Sequence, residues 1–93
     1  MTKEEVKKIL IAKEWQSGIV LYKFNTTSFN TNTGVSSQYD IEIKDNNIYL
    51  INSVLRNKES LLLTITEDSS RIALSPKIEG DDTFKPIILK EVS

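Results

Sequence analysis

The chain contains no cysteine and no histidine. Without cysteine there are no disulfides, no thiolate metal sites and no thiol nucleophile. Without histidine there is no imidazole general base, no Ser-His-Asp triad and no histidine-ligated metal. Glycine occurs only 3 times, at the scattered positions Gly18, Gly34 and Gly80. A glycine-rich phosphate cradle of the P-loop or dinucleotide type is therefore excluded. Charge is balanced to a net of -1, so no global field draws in nucleic acid or an anionic membrane. No stretch approaches the roughly 20 apolar residues that span a bilayer. Residues 1–14 are interrupted by Lys3, Glu4, Glu5, Lys7, Lys8, Lys13 and Glu14, which is not the apolar core of a secretory leader; a cytoplasmic address is expected. Enzyme becomes the weaker class of function, and neither cofactor nor metal is expected.

What remains is a rhythm. The 93 residues, 39% hydrophobic and 27% charged, fit one soluble domain, 1–93. Thr2 and Glu5 form a capping box, and Val6, Ile9 and Leu10 follow at helical spacing. A helix this short is marginal alone and must dock on something. Gly18 is read as its exit. From there, runs of β-formers alternate with clusters of Asn, Asp, Ser and Glu. Strands are expected at 19–24 (extending back toward Trp15), 39–44, 48–55, 61–66, 71–75 and 84–92, with turns at 45–47, 56–59, 67–70 and 79–82. Pro86 within the last run belongs at an edge or a bulge. The fold class is mainly β: an N-terminal helix followed by an antiparallel meander of about six strands, as a small barrel or curved sheet.

Period-two alternation is cleanest at 39–44. It predicts that Ile41 and Ile43, with Leu50, Leu61, Leu63, Ile65, Ile72 and Leu74, are buried, while Asp40, Glu42 and Lys44 face water. Ile43→Ala is then expected to cost a few kcal/mol. Segment 19–24 is apolar on both faces, and the last run contains Ile87-Ile88-Leu89. Read as unpaired apolar edges, these predict a homodimer.

The stretch 39–52, Tyr-Asp-Ile-Glu-Ile-Lys-Asp-Asn-Asn-Ile-Tyr-Leu-Ile-Asn, followed by Leu-Leu-Leu-Thr-Ile-Thr at 61–66 and Arg-Ile-Ala-Leu-Ser at 71–75, resembles the middle of small bacterial lipocalin-like domains. Those domains also open with a short helix and a tryptophan at the first strand, the place of Trp15. The resemblance implies an apolar cavity that takes up a small molecule.

Few residues stand out as chemistry. Glu79, Asp81 and Asp82 present oxygens to a hard cation, but Glu-Gly-Asp-Asp is ordinary turn composition, as is Glu67-Asp68. Lys3, Lys7, Lys8 and Lys13, interleaved with glutamates, read as a solvated helix face rather than a nucleic-acid contact. Trp15, Tyr22 and Tyr49 can either line a pocket or pack the core. Segment 25–38 is uncharged and rich in Asn, Thr and Ser. It reads either as a long loop or as a Thr-rich edge hairpin. Phe29 stands alone within it and must tuck back or meet a partner. The candidate ligand- or partner-binding set is therefore Tyr22, Phe29, Asn30 and Tyr49. Two functions compete. One is a non-catalytic, lipocalin-like binding protein for a small ligand. The other is an accessory adaptor or inhibitor acting through protein–protein contacts, of the kind carried by phages, whose AT-rich genes favour the Ile, Lys and Asn seen here.

Overall fold

The structure, a computed structural model, describes residues 1–51, 60–76 and 86–92. Helix α1 (Lys3–Ala12) starts as its capping box dictates. The Glu5 amide donates to Thr2 Oγ1 at 3.2 Å, and the Thr2 amide donates to Glu5 Oε1 at 3.1 Å. The backbone hydrogen bond from Thr2 holds the Glu5 carboxyl below its usual range. Val6 and Leu10, one turn apart on the same face, are fully buried. Their burial contributes about 1.5–3 kcal/mol each, which is what fixes so short a helix in place.

Nine strands follow among the described residues: β1 (Glu14–Ser17), β2 (Val20–Phe24), β3 (Ser28–Thr31), β4 (Ser36–Gln38), β5 (Asp40–Lys44), β6 (Asn47–Ile51), β7 (Ser60–Ile65), β8 (Arg71–Pro76) and β9 (Ile87–Glu91). Their order in the sheet is β4-β3-β2-β1-β9-β8-β7-β6-β5, every pairing antiparallel. The two ends of this order are consecutive in sequence, separated by Tyr39 alone. On one side of Tyr39 the chain pairs with β3, and on the other with β6. A strand that changes partners at a corner is how a sheet curls round on itself. The nine strands therefore behave as eight staves of a nearly closed barrel, with β4 and β5 as two halves of one stave. The ring is joined a second time where β9 pairs with β1, Trp15 opposite Glu91.

The meander sorts the turns onto two ends. At one end lie the β2–β3 turn, the β7–β8 turn, the start of β1 and helix α1. At the other lie the tips 18–19 and 32–35. Gly18 (φ 60) and Ile19 form a two-residue connection of the type that wants glycine first, and Asp45 and Asn46 (φ 52 and 65) form the mirror-image turn that tolerates asparagine and aspartate. Gly18 is thus a hairpin residue, not the helix exit. The helix ends at Ala12, and Lys13 (φ -138) turns the chain directly into β1.

Mainly β, with one N-terminal helix and an antiparallel meander, is what the structure shows; nine strands replace the expected six or so. Three short polar strands account for the difference. β1 carries a single large apolar residue, Trp15, while β3 and β4 are built from Ser, Phe, Asn, Thr and Gln. Segment 25–38 is the hairpin alternative. The turn expected at 56–59, the acidic turn at 79–82 and Phe84 lie outside the described residues. Pro86 stands immediately before β9.

The core follows the alternation with instructive exceptions. Ile41, Leu50, Leu61, Leu63, Ile72 and Leu74 are buried, and Ile65 is half-buried. Ile43 is 36% exposed, because the β5–β6 hairpin carries it to within two residues of the Asp45-Asn46 turn, past the packed interior. Asp40 is only half in water, held by Lys3 and Lys7. Ile87-Ile88-Leu89 is no edge, since β9 lies between β8 and β1; the edge argument for a homodimer falls away with it. Leu50→Ala is accordingly expected to cost about 2–5 kcal/mol in denaturant unfolding. Ile43→Ala should cost under about 1 kcal/mol, and equal losses for the two would show that the hairpin packs differently.

Candidate functional site

The two halves of the barrel wall differ inside. From β5 to β9 the inward residues are aliphatic: Ile41, Leu50, Leu61, Leu63, Ile72, Leu74, Ile87 and Leu89. From β1 to β4 they are mostly aromatic. Tyr22, Phe24, Phe29 and Tyr39 form one cluster, with ring centroids 5.4–6.5 Å apart, the Phe24–Tyr39 pair edge-on. Such contacts add about 0.5–1.5 kcal/mol per pair to area burial. Trp15 is fully buried beside them, cross-strand from Tyr22. Among the described residues Ser37 is the one buried polar side chain; it lies cross-strand from Phe29 and donates to the Gln38 carbonyl at 2.9 Å. Ser17, Val20 and Thr31 continue this inward face toward the tips, where aromatic bulk gives way to small and hydroxyl-bearing residues.

Helix α1 closes the opposite end. The buried indole of Trp15 donates to the Leu10 carbonyl at 3.0 Å, capping one of the acceptors that a helix C-terminus leaves open. Lys7, whose side chain is only 14% exposed, donates to the Thr26 carbonyl at 2.7 Å, pairs with Asp40 at 3.1 Å and lies 5.4 Å from the Tyr39 ring centroid. Lys3 reaches Asp40 at 3.0 Å. Lys13 bonds Glu91 and the Ser69 carbonyl. Lys3, Lys7 and Lys13 therefore each bond a barrel group, Lys7 largely covered, while Lys3 and Lys8 stay exposed as a solvated face would have them. The sequence signal that could have found this is positional: cations on a helix too short to stand alone, with a lone aspartate at the start of the cleanest strand.

The four candidate residues do not converge. Phe29 is 0% exposed in the aromatic cluster, so it tucks back. Tyr22 is buried beside it. Asn30 faces outward and accepts from Ser36 Oγ at 3.0 Å. Tyr49 also belongs to the outer face, opposite Glu42 and Leu62. A pocket shared by Trp15, Tyr22 and Tyr49 is thus excluded by the wall between them. The polar side chains of 25–38 largely bond one another: Thr31 Oγ1 meets Thr33 Oγ1 at 2.8 Å and accepts from the Val35 amide at 3.1 Å. Asn32 ties this hairpin to the next. Its Oδ1 accepts from the Leu21 amide at 2.9 Å and its Nδ2 donates to the Ile19 carbonyl at 3.0 Å. Asp68 serves its turn, accepting from Ser70 and Thr66, contacts that bring its pKa down to about 2. Glu79, Asp81 and Asp82 lie outside the described residues. Among the described residues no group of three or more acidic side chains is placed to hold a metal ion, and no helix is long and apolar enough to cross a membrane.

Comparison with protein-family models, with curated proteins and with solved structures finds no match to this chain.

The latch between α1 and the barrel titrates at both extremes of pH. Hydrogen bonding to Lys3, the Ile41 amide and Lys7 lowers Asp40 from 3.8 to about 2. Its contribution is complete above pH 3.8 and is lost as pH falls through about 2. Burial, with the Asp40 charge behind it, raises Tyr39 from 10.0 to about 12, while its hydroxyl donates to the Asn25 carbonyl at 2.5 Å. That contribution is complete below pH 10.0 and is lost as pH rises through about 12. Thermal melts of the wild type and the D40N variant from pH 2 to 5 should converge toward the acid side. Absorbance of phenolate should show a late-titrating tyrosine that Tyr39→Phe removes; titration of every tyrosine near pH 10 would contradict the placement of Tyr39.

Proposed function

We propose that this is a small non-catalytic binding protein that takes up a small, uncharged ligand in the tip-side half of its barrel, opposite the helix. The observation that carries this reading is the uneven lining. The helix-side interior is packed with Trp15, Phe24, Phe29 and Tyr39. Ser37 lies level with Phe24 and Phe29, Tyr22 and Thr31 lie level with Trp15, and toward the tips the inward face ends in Ser17 and Val20, so that aromatic bulk gives way there to small side chains beside the hydroxyls of Tyr22 and Thr31. Binding sites commonly pair an apolar wall with a few placed polar groups, and a barrel of eight staves is of the size that either fills itself or holds one small molecule. The resemblance to lipocalin-like domains points the same way.

The second reading, an adaptor or inhibitor acting through protein contacts, draws on Ile19. It is 86% exposed, yet the carbonyls on either side of its amide plane are held by side chains, Gly18 by Gln16 and Ile19 by Asn32. A rigidly presented apolar tip suits a partner's pocket.

Native mass spectrometry of the protein purified from its own cells separates the two. A bound small mass that denaturation releases, and that Tyr22→Ala depletes, is the expected result. A co-purifying protein lost on Ile19→Ser would favour the adaptor, and the absence of bound small mass would overturn the ligand reading.

A further inference from the structure

The outer wall of β7–β9 contains a local conflict. Arg71 and Lys90 are directly opposite one another in the β8–β9 ladder, and like charges in that position destabilise a sheet. Among the described residues neither side chain has a carboxylate partner; the ion pairs there use Lys3, Lys7 and Lys13. Glu91, next to Lys90, is taken by Lys13. Asp68, in the turn before Arg71, is taken by Ser70 and Thr66. Arg71 lines an apolar depression of about 460 Å³ together with Thr64, Ile65, Thr66, Ile72, Ala73 and Ile88 and is the one charged residue among these, and Lys90 stands beside it as the cross-strand partner of Arg71. Ile88, 45% exposed, forms its floor together with Ala73, its cross-strand neighbour.

We infer that this depression is a binding site for an amphipathic monocarboxylate. The carboxylate sits between Arg71 and Lys90, and the hydrocarbon body lies over Ala73, Ile88 and Thr64. Each feature then has a use. An unneutralised pair of cations is electrostatically costly when empty and favourable when an anion bridges it. Guanidinium is the group that grips a carboxylate through two parallel hydrogen bonds. The exposed isoleucine supplies apolar contact where a charged outer wall would ordinarily place a polar residue. This site is on the outside of the barrel and is independent of the interior ligand proposed above.

The probe is sodium octanoate, titrated into the isotopically labelled protein and followed by amide chemical shifts, with 1-octanol as the uncharged control. Saturable shifts at Ala73, Ile88, Lys90 and Arg71 are expected with octanoate and not with octanol. Arg71→Gln should weaken binding about tenfold or more, as loss of a hydrogen bond to a charged group does. Arg71→Gln and Lys90→Gln should each also raise the melting temperature in low salt, and added salt should shrink that gain. Shifts confined to interior residues such as Phe29 and Ser37 would assign the ligand to the barrel and overturn the outer site. Equal shifts with octanol, or an unchanged Arg71→Gln titration, would overturn it as well.

Discussion

A buried hydrogen bond ties the helix to the barrel, from the indole of Trp15 to the carbonyl of Leu10. An indole N–H buried without an acceptor costs about 1–3 kcal/mol. A helix C-terminus likewise leaves carbonyls without partners. Each defect cancels the other, and the geometry permits it only if the chain turns sharply after Ala12, as Lys13 does. With the turn set, α1 lies across the mouth of the barrel, Val6 and Leu10 face inward, and Lys7 comes within reach of Thr26, Asp40 and Tyr39. The charged contacts are secondary, because exposed ion pairs contribute little; they choose the helix's orientation more than they hold it down.

Much of the fold was legible because water enforces it. The capping box of α1 and the positive-φ turn at Asp45-Asn46 each follow from a local rule, and the structure obeys both; the alternation of β5 holds at Ile41 and Glu42 and fails at Ile43, next to the turn. The strands that were missed are those whose local chemistry argues for a loop. Apart from Phe29 and Gln38, β3 and β4 pair through Ser and Asn, residues that favour turns when judged alone. They become strands because Phe29 must be buried and because β2 offers a ladder to pair with. Long-range pairing overrode local preference there, and no window of neighbouring residues contains that information.

The candidate site was less legible for a related reason. An aromatic residue in a polar segment reads equally well as an anchor or as core, and Phe29 is core. Tyr22 and Tyr49 are both strand residues, but whether they share a face depends on which staves they occupy and on the register between them. The barrel puts them on opposite sides of its wall. The opposed pair Arg71 and Lys90 shows the same limit: the residues are far apart in sequence, and only the β8–β9 register brings them together.

The β1–β9 ladder, Trp15 against Glu91, has a consequence during synthesis. The two staves that complete the ring come from nearly opposite ends of the sequence, so the ring cannot close until the residues of β9 have left the ribosome. Until then β1 and β8 each present an open row of backbone donors and acceptors, the state in which strands of neighbouring chains join. Ladders between sequence-distant strands also form slowly. Translation rate and the crowding of nascent chains therefore bear on the yield of this barrel more than on its final stability.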